Sequence, residues 1–314
     1  MSQLLTFVNA LPSTITQGLI WGILAIGVYI TYKVLDVADL TIDGTLSTGG
    51  AVLVVAVRSG VPIWVALIMA FAAGCLAGLV TGVLHTGLGI PVILASILTQ
   101  LSLYSINVQI LSGSNLALSS RNFDLWVSSG QIVKSLVVTS AFIAALIIVL
   151  YWFFGTEYGM TLRATGCNPN MSRAQSISTN KAKIIGLVLS NGIVGIAGGL
   201  LSQFEGNADV NKGRGAIVIG LAAVIIGEVL GSIIFRKHFN FILKLLFTGF
   251  GAVLYFIVIR VALTIGLPSH WTKALSACVV AIFLGIPYLR SASKSSFRKA
   301  GKRSLAAIDK KEGV

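Results

Sequence analysis

The sequence predicts an all-α protein, a polytopic transmembrane helical bundle of about eight to ten spans. Three observations carry that expectation. Of 314 residues, 55% are hydrophobic and only 11% are charged, whereas a soluble domain carries roughly 25% charged residues. So few charges cannot cover a water-facing surface, and lipid must serve as solvent. Apolar runs of about 18 to 23 residues recur along the chain, and about 20 residues at 1.5 Å each cross a hydrocarbon core. The 34 glycines suit helices that approach closely where no hydrophobic force drives them together.

Nine spans are expected, at residues 14–32, 44–58, 63–84, 91–112, 132–154, 184–203, 216–235, 241–265 and 272–289. No Lys or Arg precedes Lys33, so the first lacks the basic region of a signal peptide and is expected to be retained. The second is short and carries Gly44, Gly49 and Gly50. It reads as a broken or re-entrant helix, tolerated where protein or a watery cavity satisfies its backbone. The third carries Gly74, Gly78 and Gly82, and the sixth carries Gly195 and Gly199. These four-residue repeats make smooth stripes that favour close crossing. Between the fifth and sixth spans lies the one long basic, polar interruption, residues 155–183.

Charge gives the orientation. The net charge is +13, and eight basic residues fall between Arg290 and Lys311. Such a tail belongs on the cytoplasmic side, attracted to anionic lipid rather than to nucleic acid. Counting back through nine spans puts the 155–183 segment and the turn at Arg236-Lys237-His238 inside as well. Arg58, Arg121, Lys134, Lys212, Arg214 and Lys273 then lie outside, as does the N-terminus.

Polar residues within the spans are the candidates for a pathway. In the fourth span Ser96, Thr99, Gln100, Tyr104 and Asn107 share a face at 100° per residue, interrupted by Leu103, while Ser102, Ser105 and Gln109 oppose them. Unpaired polar groups in hydrocarbon cost several kcal/mol, so this helix is expected inside the bundle. Its polar face reads equally as pathway or as interhelical hydrogen-bonding glue. Ser190 and Asn191 of the sixth span carry the same two readings. Glu228 and Arg260 are the charges deepest in apolar spans, where ionisable groups usually pair, and they are candidates for such a pair.

Asp36, Asp39 and Asp43 fall within eight residues, but their spacing matches no EF-hand and no His or Cys lies nearby. Helix capping is the better reading, with Asp43 at the start of the second span. Cys75, Cys167 and Cys278 are too scattered for a disulfide framework or a metal site. Cys75 and Cys278 read as packing residues and Cys167 as a loop thiol. No GxxxxGK[ST], HExxH or GxSxG occurs, so neither nucleotide cradling nor the corresponding hydrolytic chemistry is expected of this chain. No metal and no cofactor are expected on it.

The run Gly159-Met160-x-Leu162-Arg163-Ala164-x-Gly166-x-Asn168-Pro169, with Ala174 and then Ser176-Ile177-Ser178, resembles permease subunits of bacterial ABC importers. The branched-chain amino acid and ribose permeases are the branch it resembles most. Ala38-Asp39-Leu40-Thr41-Ile42-Asp43-Gly44, together with Ile97-Leu98-Thr99 and Tyr104-Ser105-Ile106-Asn107, is similar to the subgroup associated with tryptophan or tyrosine uptake. One departure is Ser178, near a point where the wider family often has a glycine-isoleucine pair (here Ser176-Ile177). The resemblance implies a type II importer-like permease domain over residues 1–290, with a cytoplasmic coupling loop at about 155–183 and a basic cytoplasmic tail at 291–314.

It further implies a second permease subunit, identical or related, with a homodimer the expectation, lining one pathway in the bacterial cytoplasmic membrane. Two ABC ATPase subunits would sit on the cytoplasmic side, holding ATP and Mg, and an extracytoplasmic solute-binding protein would deliver substrate. The coupling loop would present Arg163, Ala164, Gly166, Asn168, Pro169, Met171, Arg173, Ala174 and Ile177. Asn168 reads as an N-cap with Pro169 at the first helical position. Met171 and Ala174 would supply apolar contact, and Arg163 and Arg173 would meet acidic groups. Substitution of Gly166 or Arg163 would then uncouple hydrolysis from transport in a folded protein. The cargo is expected to be an amino acid, with aromatic ones in view. A sugar or nucleoside importer of the same fold is the alternative. A stand-alone secondary transporter or channel would show paired broken helices in two inverted repeats, and a pathway-free anchor would tolerate loss of Gln100 and Asn107.

Overall fold

The computed structural model describes residues 2–119, 123–235, 240–265, 268, 271–272, 274–282 and 285, with side chains described from residue 7 onward. The chain forms α1 (Ser2–Tyr29), continued by a π-helical turn (Ile30–Val34), then α2 (Thr41–Arg58), α3 (Ile63–Gly87), α4 (Val92–Leu111) and α5 (Ile132–Gly155). Two short helices follow, α6 (Glu157–Cys167) and α7 (Pro169–Ala174), and then α8 (Thr179–Glu205), α9 (Ala216–Ile234) and α10 (Phe241–Thr264). Residues 274–282 are helical as well. Seven of these helices are long and apolar enough to cross a membrane, and α1 and α8 are the most buried of them. The basic tail at 291–314, the last residues of the expected ninth span (286–289) and the turn at 236–238 lie outside the described residues.

The two glycine stripes pack against each other. A methyl group at Gly74 would collide with the Asn191 carbonyl, and one at Gly78 with the Leu187 carbonyl. Gly82 faces Ile184, and from the other side Gly195 faces the Ala70 carbonyl. The pairs 82–184, 78–187, 74–191 and 70–195 run in opposite directions, so α3 and α8 are zipped antiparallel by backbone-to-backbone contact. Val at position 78 is expected to destabilise the fold by about 1–3 kcal/mol through overpacking. A lowered melting midpoint in detergent would register it, whereas Val at Gly155, which has open space around it, should leave the midpoint unchanged.

The second expected span is unbroken: α2 is a continuous 18-residue helix. Its glycines serve packing. Gly49 abuts Gly195, Gly50 meets Ser202, and Gly44 meets Leu103 and Gln100 of α4. With Thr45 bonded to Asn191, α2 begins opposite the midpoint of α8. The linker 35–40 therefore folds back into the bundle, where Leu35, Val37 and Asp39 are buried. Its polar groups are supplied: the Val37 amide donates to the Thr31 carbonyl at 2.9 Å, and the Thr41 amide to Asp39 Oδ1 at 2.9 Å.

One end of the bundle carries α6 and α7. The opposite end carries a feature that hydropathy could not reveal, a two-stranded antiparallel ribbon of β1 (Asn115–Ala117) and β2 (Asn207–Asp209). Arg58 Nη1 donates to the Ala117 carbonyl at 3.2 Å, and Lys212 pairs with Glu205 at 2.9 Å. Arg58, Lys134, Lys212 and Arg214, grouped on one side by charge counting, all belong to the ribbon half.

Candidate functional site

Asn168 Oδ1 accepts the Met171 amide at 3.0 Å, with Pro169 in the first turn, so the expected N-cap starts α7. The helix is six residues long and ends where Ser176 takes φ +62°. That left-handed conformation is the one glycine adopts freely and other residues adopt rarely. Asn168, Pro169, Asn170, Met171, Arg173 and Ala174 are exposed, while Ser172 is buried and Ile177 half-buried.

α6 is built differently. Thr156 caps it, accepting the Gly159 amide at 3.4 Å. A methyl group at Gly159 would strike the Phe153 carbonyl, and one at Gly166 would strike the Val34 carbonyl at the end of the π turn. Leu162 is fully buried against the Gly186 region of α8, and Ala164 is half-buried beside it in sequence. The Arg163 guanidinium lies over the rings of Phe241 at 4.2 Å and Phe154 at 5.3 Å. Phe241 in turn packs on Tyr29 of α1. α6 is thus fastened to the ends of α1, α5, α8 and α10, and α7 projects from it.

This corrects two expectations. Arg163 is half-buried, and its guanidinium is taken up by aromatic rings of its own bundle. Gly166 is a packing position, so its substitution would undock α6 rather than spare the fold. Arg173 is exposed and its Nε donates to Thr179 Oγ1 at 3.1 Å. The deep Glu228–Arg260 pair is also overturned: Glu228 pairs with Lys33 at 2.6 Å, tying α9 to the π turn. Arg260 Nε has no hydrogen-bond partner among the described residues. Cys167 ends α6 rather than lying in a loop, and Cys278, expected to pack, is exposed.

The polar candidates of the spans divide into two groups. Thr41, Thr81 and Thr99 form a hydroxyl chain across α2, α3 and α4, with steps of 2.7 and 2.9 Å. Ser96 bonds its own helix at the Ile93 carbonyl. Ser190 donates to the Gly27 carbonyl at 2.8 Å. Asn191 donates to Asp39 Oδ2 at 2.6 Å and accepts from Thr45 at 2.7 Å. These groups are consumed inside the bundle.

Gln100, Tyr104 and Asn107 instead line a cleft of about 330 Å³ together with Asp43, Leu101 and Arg214. Asn107 is 1% exposed, yet neither its Oδ1 nor its Nδ2 has a partner among the described residues. A buried amide left in that state costs about 1–3 kcal/mol. α4 is not enclosed by the bundle as its polarity suggested. One face packs on α2 and α3, while Ser102, Tyr104, Ser105 and Gln109 are exposed. A single chain therefore leaves polar side chains on an outer surface of the bundle.

Asp43 has a second role that sequence reading assigned to the wrong helix. Its Oδ2 accepts the Gly215 amide and its Oδ1 the Ile217 amide, both at 2.9 Å. Ser47 Oγ accepts the Gly213 amide at 3.0 Å. The first turn of α2 thereby caps α9, which begins within the bundle and not at its edge. Capping was legible from an aspartate in this position; a partner helix more than 170 residues away was not. Arg214, counted only as an outer charge, had no signal pointing to the cleft.

Residues 11–284 match the family described as "Branched-chain amino acid transport system / permease component". The chain is 36% identical to the tyrosine transport system permease protein of Clostridioides difficile, over 98% of this chain and 99% of that one. It is 27% identical to the ribose import permease protein RbsC of Escherichia coli, covering 70% and 69%. Fructose import permease protein FruF of Bifidobacterium longum is 25% identical, covering 85% and 75%. Among solved structures, PsaBC from Streptococcus pneumoniae in complex with Fab shares the fold, with a TM-score of 0.51 at 15% identity over 90% of this chain and 94% of that one.

Proposed function

Starting from the premise that this chain belongs to the branched-chain amino acid transport system permease family, as a permease subunit of an ABC importer, we propose that it conducts an amino acid, with aromatic amino acids first among candidates. Permease subunits of this family are multi-pass membrane proteins and are not themselves catalysts. In this proposal ATP and Mg bind separate ATPase subunits. Those subunits seat on α7, on the cytoplasmic side, where the basic tail at 291–314 also lies. A solute-binding protein docks on the ribbon end. Residues 1–290 form the permease domain.

The observation that carries this reading is the contrast between α6 and α7. α7 offers Pro169, Met171 and Ala174 to a partner. α6 is locked by Gly166 and Arg163 to the ends of α1, α5 and α10. A displacement of α7 is therefore carried into the bundle by a rigid element, which is what alternating access requires. A second copy is supported by the exposed polar residues of α4, since hydrocarbon would not solvate Gln109 and Ser105. Covered by a symmetry-related copy, that face would enclose a polar path.

The amino-acid reading draws support from the near-complete alignment with a tyrosine permease at 36% identity. The sugar reading draws on ribose and fructose permeases at 27% and 25%. Reconstitution with the cognate ATPase and binding protein in proteoliposomes separates them. ATP-dependent uptake of L-tyrosine, L-tryptophan or L-leucine is expected. Uptake of ribose or fructose alone would replace the cargo, and transport that persists without any ATPase would refute the importer reading.

A further inference from the structure

We infer that the cleft between α2, α4 and the 210–214 turn is a transit site for a zwitterion, holding an amino acid between Arg214 and Asp43. The inference rests on the importer reading above and adds a location and a recognition chemistry to it. The cleft brings together charges of both signs that form no ion pair with each other. Asp43 is held by two backbone amides, so its carboxylate is fixed in place. The backbone around Arg214 is equally fixed, by Gly213 on Ser47 and Gly215 on Asp43. Its side chain is exposed and makes no hydrogen bond or ion pair among the described residues.

An arginine beside the start of α9, lining a cleft with Asp43, cannot be left facing lipid tails. It must face a watery cavity or a ligand. A sugar carries no charge to satisfy either group, whereas an amino acid carries a carboxylate for Arg214 and an ammonium for Asp43. Bidentate pairing of guanidinium and carboxylate is the strong form of that contact. The unpartnered amide of Asn107 adds a donor and an acceptor on the same wall. Tyr104 and Leu101 supply aromatic and aliphatic surface beside it. At about 330 Å³ the cleft is near the lower end of small-ligand pockets, which run from about 300 to 1,000 Å³.

Ligand-observed NMR on the permease–ATPase complex in lipid nanodiscs, without the binding protein, reads this site directly. The probes are L-tyrosine, L-tryptophan and L-leucine, with tyramine (no carboxylate) and ribose as comparisons. Saturation transfer is expected to at least one amino acid and to fall several-fold for tyramine and ribose. Arg214→Gln and Asn107→Leu should each abolish the amino-acid signal. Asn107→Leu should do so without lowering the melting midpoint, because it removes an unsatisfied amide; a merely structural asparagine would show the reverse. Equal signals from tyramine and the amino acids, or unchanged binding in Arg214→Gln, would overturn the site. So would binding of ribose alone. ATP-driven uptake by the same preparation tests the importer reading separately: uptake of amino acids with normal Arg214→Gln behaviour sinks the site and spares that reading.

Discussion

Replacing Met171 with Asp should abolish ATP-driven uptake while the permease still folds and inserts. Met171 is 63% exposed on a helix whose backbone is set by Asn168 and Pro169, so the substitution disturbs no internal packing. Its effect falls on the partner. An apolar anchor at the centre of a contact is worth about 2 kcal/mol or more, roughly thirtyfold in association, and burying a carboxylate there adds a desolvation cost. Co-purification with the ATPase and uptake in proteoliposomes should therefore fail together, at an unchanged melting midpoint. Gly166→Val provides the contrast. There the side chain collides with the Val34 carbonyl, and the permease itself should lose stability. If Met171→Asp lowers the melting midpoint as much as Gly166→Val does, the division between a fastened α6 and a free α7 is wrong.

Asp43→Ala carries the second large effect. It leaves the Gly215 and Ile217 amides without their acceptors. Losing a helix cap costs typically about 1 kcal/mol and up to about 2, and loss of a negative charge beside a helix N-terminus adds to it. Asp43→Asn keeps one acceptor oxygen and should recover part of the stability. It does not restore the carboxylate, so amino-acid binding in the cleft should stay weak. Thermal denaturation and ligand binding on the two variants would separate the cap from the charge. Equal melting midpoints for Asp43→Ala and the native chain would show that α9 does not depend on this residue.

Patterns in the sequence that depend on near neighbours translated directly into structure. The apolar runs gave the helices, the i, i+4 glycines gave the α3–α8 crossing, and Asn168-Pro169 gave the start of α7. Each encodes its geometry within a few residues. What depends on distant partners was not legible. Asp43 signals a cap, but only the fold reveals that the capped helix is α9. Gly44, Gly49 and Gly50 suggested a break, because a glycine cluster reads the same whether it bends a helix or lets another backbone approach. Arg163 signalled a solvent-facing charge, since nothing in its neighbours announces the rings of Phe154 and Phe241. In α4, periodicity placed Gln100 and Asn107 on one face, yet it could not tell that Ser96 and Thr99 on the same face are consumed by hydrogen bonds. The helix was expected inside the bundle because polar residues imply burial. In the single chain the face that carries Ser102, Ser105 and Gln109 is exposed, which fits cover by a second copy.

Cysteine cross-linking tests the central claim most directly. Cys167 and Cys278 are exposed and Cys75 is half-buried, so all three are first replaced by Ser or Ala, and a single cysteine is installed by Met171→Cys. In proteoliposomes holding the permease and its cognate ATPase, a short bifunctional thiol reagent should join position 171 to an engineered surface cysteine on the ATPase. The yield should change when ATP is added. A cysteine placed at Asn115, on the ribbon, should give no such product. Failure of position 171 to cross-link, against an ATPase that still co-purifies and supports uptake, would contradict the assignment of α7 as the docking element.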